Sequence, residues 1–243
     1  ADPAAEDKPI YLDKMYLMQP PMAFDRVHLE LTRVADKVLE MIKDSFPTLL
    51  VGTQERIVSL QQRDEEIDAL ADTITIYLRK LATADLVEPQ PLYLQQYLGI
   101  TDNLEKIADT IETGVVADAF KRLQRDLEIS DETEDLLREV YRELYLTAQT
   151  TFAAMAENDS DRAKEVNRSK KHFNGLVERA RNHQYAQLKD GNIEQLQEYR
   201  LESNTLENFK HIHHMLRAIC KLILDHPGRG NADTPPAPDP SSA

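Results

Sequence analysis

Seven acidic side chains fall at helical spacing on two neighbouring stretches of the chain. The segment TDNLEKIADTIETGV, residues 101–115, sets four of them on one flank of an apolar stripe: Asp102, Glu105, Asp109 and Glu112. Upstream, Asp64, Asp68 and Asp72 follow one another at four-residue intervals. On helices, each set forms a ridge. If the two ridges face each other across a groove, several carboxylates come close together.

Crowded carboxylates repel one another, so they need compensation. Like charges at i and i+4 destabilise a helix, and partial burial makes the groups protonate or bind a cation. Carboxylate oxygens suit hard and borderline metal ions. Asp64 lies about 40° around the helix from Leu60, inside the apolar arc. The pattern therefore indicates a metal site, and an acidic face open to solvent is the alternative.

The elements that must position these groups are helices. Glycine is scarce, with 7 in 243 residues, and no long run alternates apolar with polar residues. Apolar periodicity and the prolines predict six helices, over residues 22–45, 48–83, 92–126, 131–157, 160–189 and 193–225. The first should stop before Pro47. Asp131 and Glu134 should form a capping box, and Asp159 or Ser160 should cap the fifth helix.

The apolar stripes of the first three helices recur in the last three. At an offset of 106 residues, Ile57, Leu60, Ile67, Leu70 and Ala71 become Ala163, Val166, Phe173, Leu176 and Val177. At 105, Leu104, Ile107, Ala108, Ile111 and Val115 become Phe209, Ile212, His213, Leu216 and Cys220. The predicted fold is therefore all-α, with tandem three-helix bundles over 22–126 and 131–226. Residues 1–21 form a linker leading into the first helix, and 227–243 a disordered tail.

Composition excludes several functions. The net charge of −14 disfavours nucleic-acid partners, because phosphate backbones are bound through surplus Lys and Arg. Cys220 is the single cysteine, so no intrachain disulfide forms, and its place on the stripe predicts a core residue. No apolar run reaches the roughly 20 residues that span a bilayer, and no signal peptide is visible. We expect a soluble chain in a reducing compartment.

The acidic pattern is not repeated in the second bundle. The first ridge, Asp64, Asp68 and Asp72, becomes Lys170, Asn174 and Glu178, and the second becomes Glu207, Lys210, His214 and Arg217. Cations at these positions oppose a metal ion, so a metal is expected in the first bundle only.

Two further groups of side chains in the second bundle are of types that bind metals or anions. The run His211, His213 and His214 lacks the i, i+4 histidine pair of a zinc-protease motif, and His213 falls on the apolar stripe, so a helix with partly buried histidines is favoured. Four cations could bind phosphate or acidic lipid: Lys170, Lys171, Lys210 and Arg217. The sequence alone favours ordinary surface charge for these.

The acidic segments resemble a known family. DNLEKIADTIE is similar to the third-helix signature of PhoU-like proteins, D-x-x-E-R-I-G-D, with Ala108 in place of the glycine, and RDEEIDAL is similar to their second-helix motif. The resemblance spans about residues 22–226. It implies iron, zinc or another divalent metal held by Asp64, Asp68, Glu105 and Asp109, with Asp72 as an additional neighbour.

The segment YLDKMYLMQPPMAFDRVHLELTRVADKVLEMI resembles the start of the PhoU-like domain of bacterial sodium/phosphate cotransporter family proteins. That resemblance implies a non-enzymatic regulatory domain in phosphate transport or homeostasis. It would lie on the cytoplasmic face of the inner membrane, with the transport domain of the same polypeptide as its partner. Homo-oligomers are left open, and no direct lipid binding is expected. The alternatives are a free-standing PhoU-type regulator of a phosphate ABC transporter and a metal-dependent phosphohydrolase.

Overall fold

The computed structural model describes residues 8–187 and 193–225, and within them the chain is helical, with no strand. After a 3₁₀ turn at Lys14–Met18 come eight α-helices: α1 (Pro20–Val51), α2 (Gln54–Leu81), α3 (Gln90–Thr110), α4 (Ala117–Arg125), α5 (Asp131–Glu157), α6 (Ser160–Arg168), α7 (Lys170–Gln187) and α8 (Ile193–Asp225). A π-helical segment, Ile111–Val116, joins α3 to α4, and only Ser169 separates α6 from α7. The helices thus form the six predicted segments and confirm the all-α fold.

The predicted end of the first helix before Pro47 is wrong, because α1 continues to Val51. A proline inside a helix removes the amide that would bond to the carbonyl four residues earlier, here that of Lys43. The Tyr141 hydroxyl of α5 donates to this carbonyl at 2.5 Å. The Tyr141 ring also stacks on Phe46, with ring centroids 5.1 Å apart. Tertiary contacts therefore compensate for the lost bond and carry the helix past the proline.

Two other helix starts differ from the prediction. The second helix begins at Gln54 rather than 48, with Thr53 as its N-cap. The fourth predicted helix, α5, is capped by Ser130, whose hydroxyl accepts from the Thr133 amide at 3.3 Å, so Asp131 does not form the expected capping box. Serine and aspartate cap helices about equally well, and their order in SDET left either one competent. The predicted cap at Asp159 is confirmed.

Residues 8–19, here called the lead-in segment, are the described part of the predicted linker and entry segment, and they contact the first bundle. Glu30 of α1 is fully buried and accepts the backbone amides of Ile10 and Tyr11 at 2.9 and 2.8 Å. The Tyr77 hydroxyl donates to the Asp13 carbonyl at 2.9 Å. Pro20 and Pro21 then open α1, where a missing amide costs nothing. The segment is consequently fastened to the first bundle.

The predicted apolar stripes form the core of both bundles, and the bundles pack on each other. Every residue of the α3–π stripe and every residue of its α8 counterpart is buried. α1 packs against α5 and α3 against α8, so the two bundles share one continuous core. Phe46 of the first bundle meets Phe209 of the second edge-on, with centroids 5.9 Å apart. Cys220 is buried there, as predicted.

In the described part of the chain, no helix has both the length and the apolar character that crossing a membrane requires. The predicted disordered tail, 227–243, and the turn at KDGN fall largely or wholly outside the described residues.

Candidate metal centre

Two antiparallel-packed neighbours in the first bundle, α2 and α3, carry the acidic ridges. α2 is held by the burial of Ile57, Leu60, Ile67 and Leu70, and α3 by that of Leu104, Ile107 and Ala108. These stripes turn the flanking carboxylates toward the seam between the helices. The site is therefore positioned by the same apolar residues that build the bundle.

Three of the five predicted site residues meet at this seam. Asp64, Asp68 and Asp109 each offer a carboxylate oxygen, and these oxygens all lie within 4.8 Å of one another. Asp64 is only 8% exposed, Asp68 is half-buried and Asp109 lies at the exposed rim. Neither Asp64 Oδ1 nor Asp68 Oδ1 has a hydrogen-bond partner. The three form what we call the acidic cluster.

The electrostatics show how costly this arrangement is without compensation. Burial, together with the neighbouring charges of Asp68 and Asp109, raises the pKa of Asp64 to about 7. Burial also raises the pKa of Asp68, with Asp109 as the largest charge contribution. Each carboxylate thus opposes ionisation of its neighbours, and the cluster favours either a bound proton or a bound cation.

Glu105 and Asp72 lie beside the acidic cluster rather than within it. Burial raises the pKa of the Glu105 carboxyl, and Asp68, Asp109 and Asp72 contribute further. Asp72 is exposed on the next turn of α2. Glu105 is accordingly an electrostatic neighbour of the acidic cluster on α3, and Asp72 flanks the cluster on α2.

Glu112 is the acidic neighbour that the sequence-based set left out. Its charge raises the pKa values of both Asp64 and Asp68, and its carboxylate accepts from Gln61 Nε2 at 3.4 Å. It lies in the π-helical segment, a type of irregularity found often at functional sites. Glu112 lies three residues after Asp109 on the same ridge, and that spacing could have indicated its place beside the site.

The π-helical segment also brings α8 close to the site. At Gly114 a Cβ atom would lie 2.4 Å from Asn208 Nδ2, so a side chain there would force the Asn208 amide of α8 to move. Beside this contact is a cavity of about 390 Å³, lined by Gln61 and Glu112 on one side and by Ile57, Val116 and Phe120 on the other. The carboxylate of Glu112 therefore faces a cavity whose rim is partly apolar.

Comparison with known proteins places the acidic cluster within a matched family segment. Residues 31–115 match the family described as the PhoU domain, and the match includes every residue of the acidic cluster. This segment of the chain, from α1 to the π-helical segment, is therefore similar to the PhoU domain family. The predicted resemblance to PhoU-like proteins is thereby confirmed.

Solved structures extend the likeness to the whole fold. PhoU from Pseudomonas aeruginosa superposes with a TM-score of 0.76 at 16% identity, over 82% of this chain and 94% of that protein. The phosphate transport system regulatory protein PhoU from Streptococcus pneumoniae gives 0.74 at 12% identity, over 85% and 95%. Both bundles, not only the PhoU domain match, therefore share the PhoU fold.

Curated relatives are longer than this chain. The putative inorganic phosphate export protein YjbB of Escherichia coli, strain K12, is 20% identical over 222 residues, which is 90% of this chain and 40% of that protein. The YjbB proteins of Escherichia coli O157:H7 and Shigella flexneri match to the same extent. The chain thus spans about 40% of the length of these relatives.

The residues of the PhoU domain fit a divalent cation. Three oxygen donors converge, and two of them are buried and lack any partner, which leaves lone pairs that a metal ion would satisfy. Glu105 can supply a further oxygen. The set is all-carboxylate, so it suits hard and borderline ions such as Mg²⁺, Mn²⁺, Fe²⁺ or Zn²⁺.

Proposed function

We propose that this chain is the PhoU-like regulatory domain of a sodium/phosphate cotransporter-like membrane protein, acting on the cytoplasmic face of the inner membrane. The PhoU domain and the phosphate-related relatives support a PhoU-type role in phosphate transport or homeostasis. The attachment to a membrane domain is the more specific part of the proposal, and one observation supports it. The chain aligns along 90% of its own length with proteins named for inorganic phosphate export, yet it spans only 40% of them.

The lead-in segment supports a mechanical link to such a domain. It is fastened to α1 and α2 through Glu30 and Tyr77, so a domain joined upstream would be held in a defined orientation. Helix motion in the first bundle would then reach that domain through the segment. Metal binding at the acidic cluster, which draws α2 and α3 together, would be one source of such motion.

The reading frame upstream of the codon for residue 1 is the direct test. An encoded membrane domain in frame supports the proposal, and an immediate start codon contradicts it in favour of a free-standing regulator of a phosphate ABC transporter. With the complete gene, radioactive phosphate flux should be compared between cells making the full protein and cells making it without residues 8–225. We expect altered flux control with the membrane domain still present. Equal flux would contradict a regulatory role.

A phosphohydrolase is the alternative from another class, and a carboxylate-bound metal is the feature it would use. We propose no catalysis, and the test is turnover of p-nitrophenyl phosphate by the metal-loaded chain. We expect none above the level of Asp109→Ala. Turnover that is lost in Asp109→Ala and retained in Asp102→Asn would overturn the non-enzymatic proposal.

A further inference from the structure

The second bundle presents the electrostatic opposite of the acidic cluster at the corresponding place. Under the offsets that relate the two bundles, Asp64 corresponds to Lys170, Asp109 to His214 and Glu112 to Arg217. The structure agrees with this alignment of the two bundles. The stripe from Leu104 to Val115 is buried, and so is the corresponding stripe from Phe209 to Cys220. Two members of the acidic cluster, Asp64 and Asp109, therefore have basic counterparts on the seam of the second bundle, whereas Asp68 corresponds to the neutral Asn174.

His213 forms the buried base of this seam. It is 3% exposed and stacks face to face on Phe173 of α7, with ring centroids 3.9 Å apart. Its Nε2 atom has no hydrogen-bond partner. A buried ring nitrogen without a partner forfeits a hydrogen bond that water would otherwise supply, so it points to a missing ligand.

Two more polar atoms at the seam lack partners. Arg217 Nε and Asn167 Oδ1 are buried and unbonded, although both residues are only partly buried overall. Their counterparts in the first bundle, Glu112 and Gln61, bond to each other. The Asn167 amide can present either its oxygen or its nitrogen, because the two ends are alike in shape. The seam therefore holds three buried polar atoms, on His213, Asn167 and Arg217, that have no hydrogen-bond partner in the protein.

Positive charge at the seam is not neutralised by the protein. Burial, together with the nearby Arg217, His214 and Lys170, lowers the pKa of His213 to about 4. None of these three cationic positions forms an ion pair with a residue that the structure describes. The nearby acids are engaged elsewhere: Glu207 pairs with Arg181 and Lys210, and Glu178 pairs with Arg181.

We propose that Lys170, His214 and Arg217, with His213 and Asn167 at the base, form a binding site for inorganic phosphate. A guanidinium fork, an ammonium and imidazole and amide N–H groups are the donors that a tetrahedral oxyanion accepts. This revises the sequence-based interpretation of Lys170 and Arg217 as ordinary surface charge. The choice of phosphate among the oxyanions rests on the proposed function. The proposal that this site binds an oxyanion is independent of that function. One PhoU-fold chain would then carry a cation site in one bundle and an anion site in the other.

Equilibrium dialysis of the full chain against radioactive inorganic phosphate tests the site. The buffer should contain EDTA, so that phosphate held by a metal at the acidic cluster does not contribute, and 0.15 M NaCl to screen diffuse attraction. We expect saturable binding of one phosphate, with a Kd on the order of 1 mM or tighter. Arg217→Gln and Lys170→Gln should each weaken binding roughly ten-fold or more.

Lys80→Gln is the matched control, because it removes the same charge from an exposed position on α2 in the other bundle. It should bind like the parent. Lys170 is exposed, so Lys170→Gln is expected to fold, and its circular dichroism and Tm should confirm this. Absence of saturable binding by the parent chain overturns the proposal, as does equal binding by all three variants.

Vesicles distinguish free phosphate from a lipid headgroup. Vesicles of neutral phosphatidylcholine with phosphatidic acid present the same phosphate group at a membrane surface. Binding to them that is lost in Arg217→Gln, without binding of free phosphate, would overturn the assignment in favour of lipid. Because dialysis uses the chain alone, its result is independent of whether a membrane domain is encoded upstream, which decides the proposed function.

Discussion

At the scale of single residues, Asp64 is a carboxyl group held in an environment that disfavours its charge. It lies among apolar neighbours of α2, beside Asp68 and Asp109, and one of its oxygens has no partner. Its neighbours on α2 pack well, so the fold tolerates an unfavourable carboxyl at this position. A residue that costs stability and sits in a cluster of like charge is typical of a functional site.

Asp64→Asn should stabilise the metal-free chain at alkaline pH. The pKa of Asp64 is raised to about 7 in the folded state, so the folded state binds more protons than the unfolded state between about pH 4 and 7. Stability from this group is therefore present at low pH and is lost as pH rises through 7. We expect the variant to gain roughly 1–3 kcal/mol at pH 8 and nearly nothing at pH 4. Urea unfolding in EDTA measures both, and a loss at pH 8 would contradict the assignment of this cost to Asp64.

Asp68→Asn together with Asp109→Asn should abolish metal binding. The double variant removes two of the three converging carboxylates and leaves Asp64 as the one remaining member of the acidic cluster. A ligand that binds only the folded state at 100 times its Kd adds about 2.7 kcal/mol, so added Mn²⁺ or Zn²⁺ should raise the Tm of the parent alone. Asp102→Asn is the control, because Asp102 is exposed and paired with Lys106.

Elemental analysis completes this test. The parent purified without chelator should retain a divalent metal, and the double variant should not. Metal in the double variant at the level of the parent would show that the ion binds elsewhere.

At the scale of elements, α1 depends on α5 to pass its own proline. The Tyr141 hydroxyl is the donor that replaces the missing Pro47 amide at the Lys43 carbonyl. Tyr141→Phe should keep the ring stack on Phe46 and lose about 1 kcal/mol of unfolding free energy. Tyr145→Phe is the matched control on the same helix. If both variants unfold at the same denaturant concentration as the parent, water replaces the tyrosine bond and the explanation is wrong.

Glu30 should decide whether the lead-in segment stays on the bundle. Its buried carboxylate accepts two backbone amides of that segment and pairs with Arg33 at 2.6 Å. Hydrogen bonds to a charged group contribute about 1.5–3 kcal/mol each. In Glu30→Ala, hydrogen–deuterium exchange at Ile10 and Tyr11 should therefore quicken by at least about ten-fold.

Glu40→Ala serves as the control for that exchange measurement. Glu40 also lies on α1, but it is exposed and pairs only with its neighbour Lys43, at 3.2 Å. Its removal should leave the exchange of Ile10 and Tyr11 unchanged. Slow exchange that persists in Glu30→Ala would show that Tyr77 alone holds the segment.

At the scale of the whole molecule, charge is distributed unevenly between two similar halves. The chain carries a net −14, yet the seam of the second bundle is cationic where that of the first is anionic. The apolar stripes of the long helices are buried within the bundles and between them. The isolated chain therefore has little to offer a bilayer except the small cationic seam.

We predict that the isolated chain does not bind vesicles containing phosphatidylserine, even at low salt. Its net charge is repelled by an anionic surface, and attachment in the proposed function is covalent through the lead-in segment. Co-sedimentation measures this, with neutral phosphatidylcholine vesicles as the control. Robust pelleting with the anionic vesicles alone would contradict the tether and favour a peripheral regulator.

The sequence by itself determined the helices, the duplication and the membership of the acidic ridges. Helical periodicity is a local property, so the stripe from Leu104 to Val115 and its repeat from Phe209 to Cys220 could be read directly. The carboxylates at four-residue spacing on α2 were equally visible. The likeness of these segments to PhoU-like proteins followed from the same residues.

Only the tertiary structure decided which side chains meet. That Asp64, Asp68 and Asp109 converge while Asp72 stays exposed depends on the rotation of α2 against α3, which a single-helix pattern does not fix. The passage of α1 through Pro47 depends on Tyr141, nearly a hundred residues later. The amides of the lead-in segment donate to Glu30, about twenty residues later in the chain. A local sequence pattern does not reveal that pairing, so the sequence alone indicated a linker. Contacts between residues distant in sequence are formed by packing, and packing is what the linear pattern leaves open.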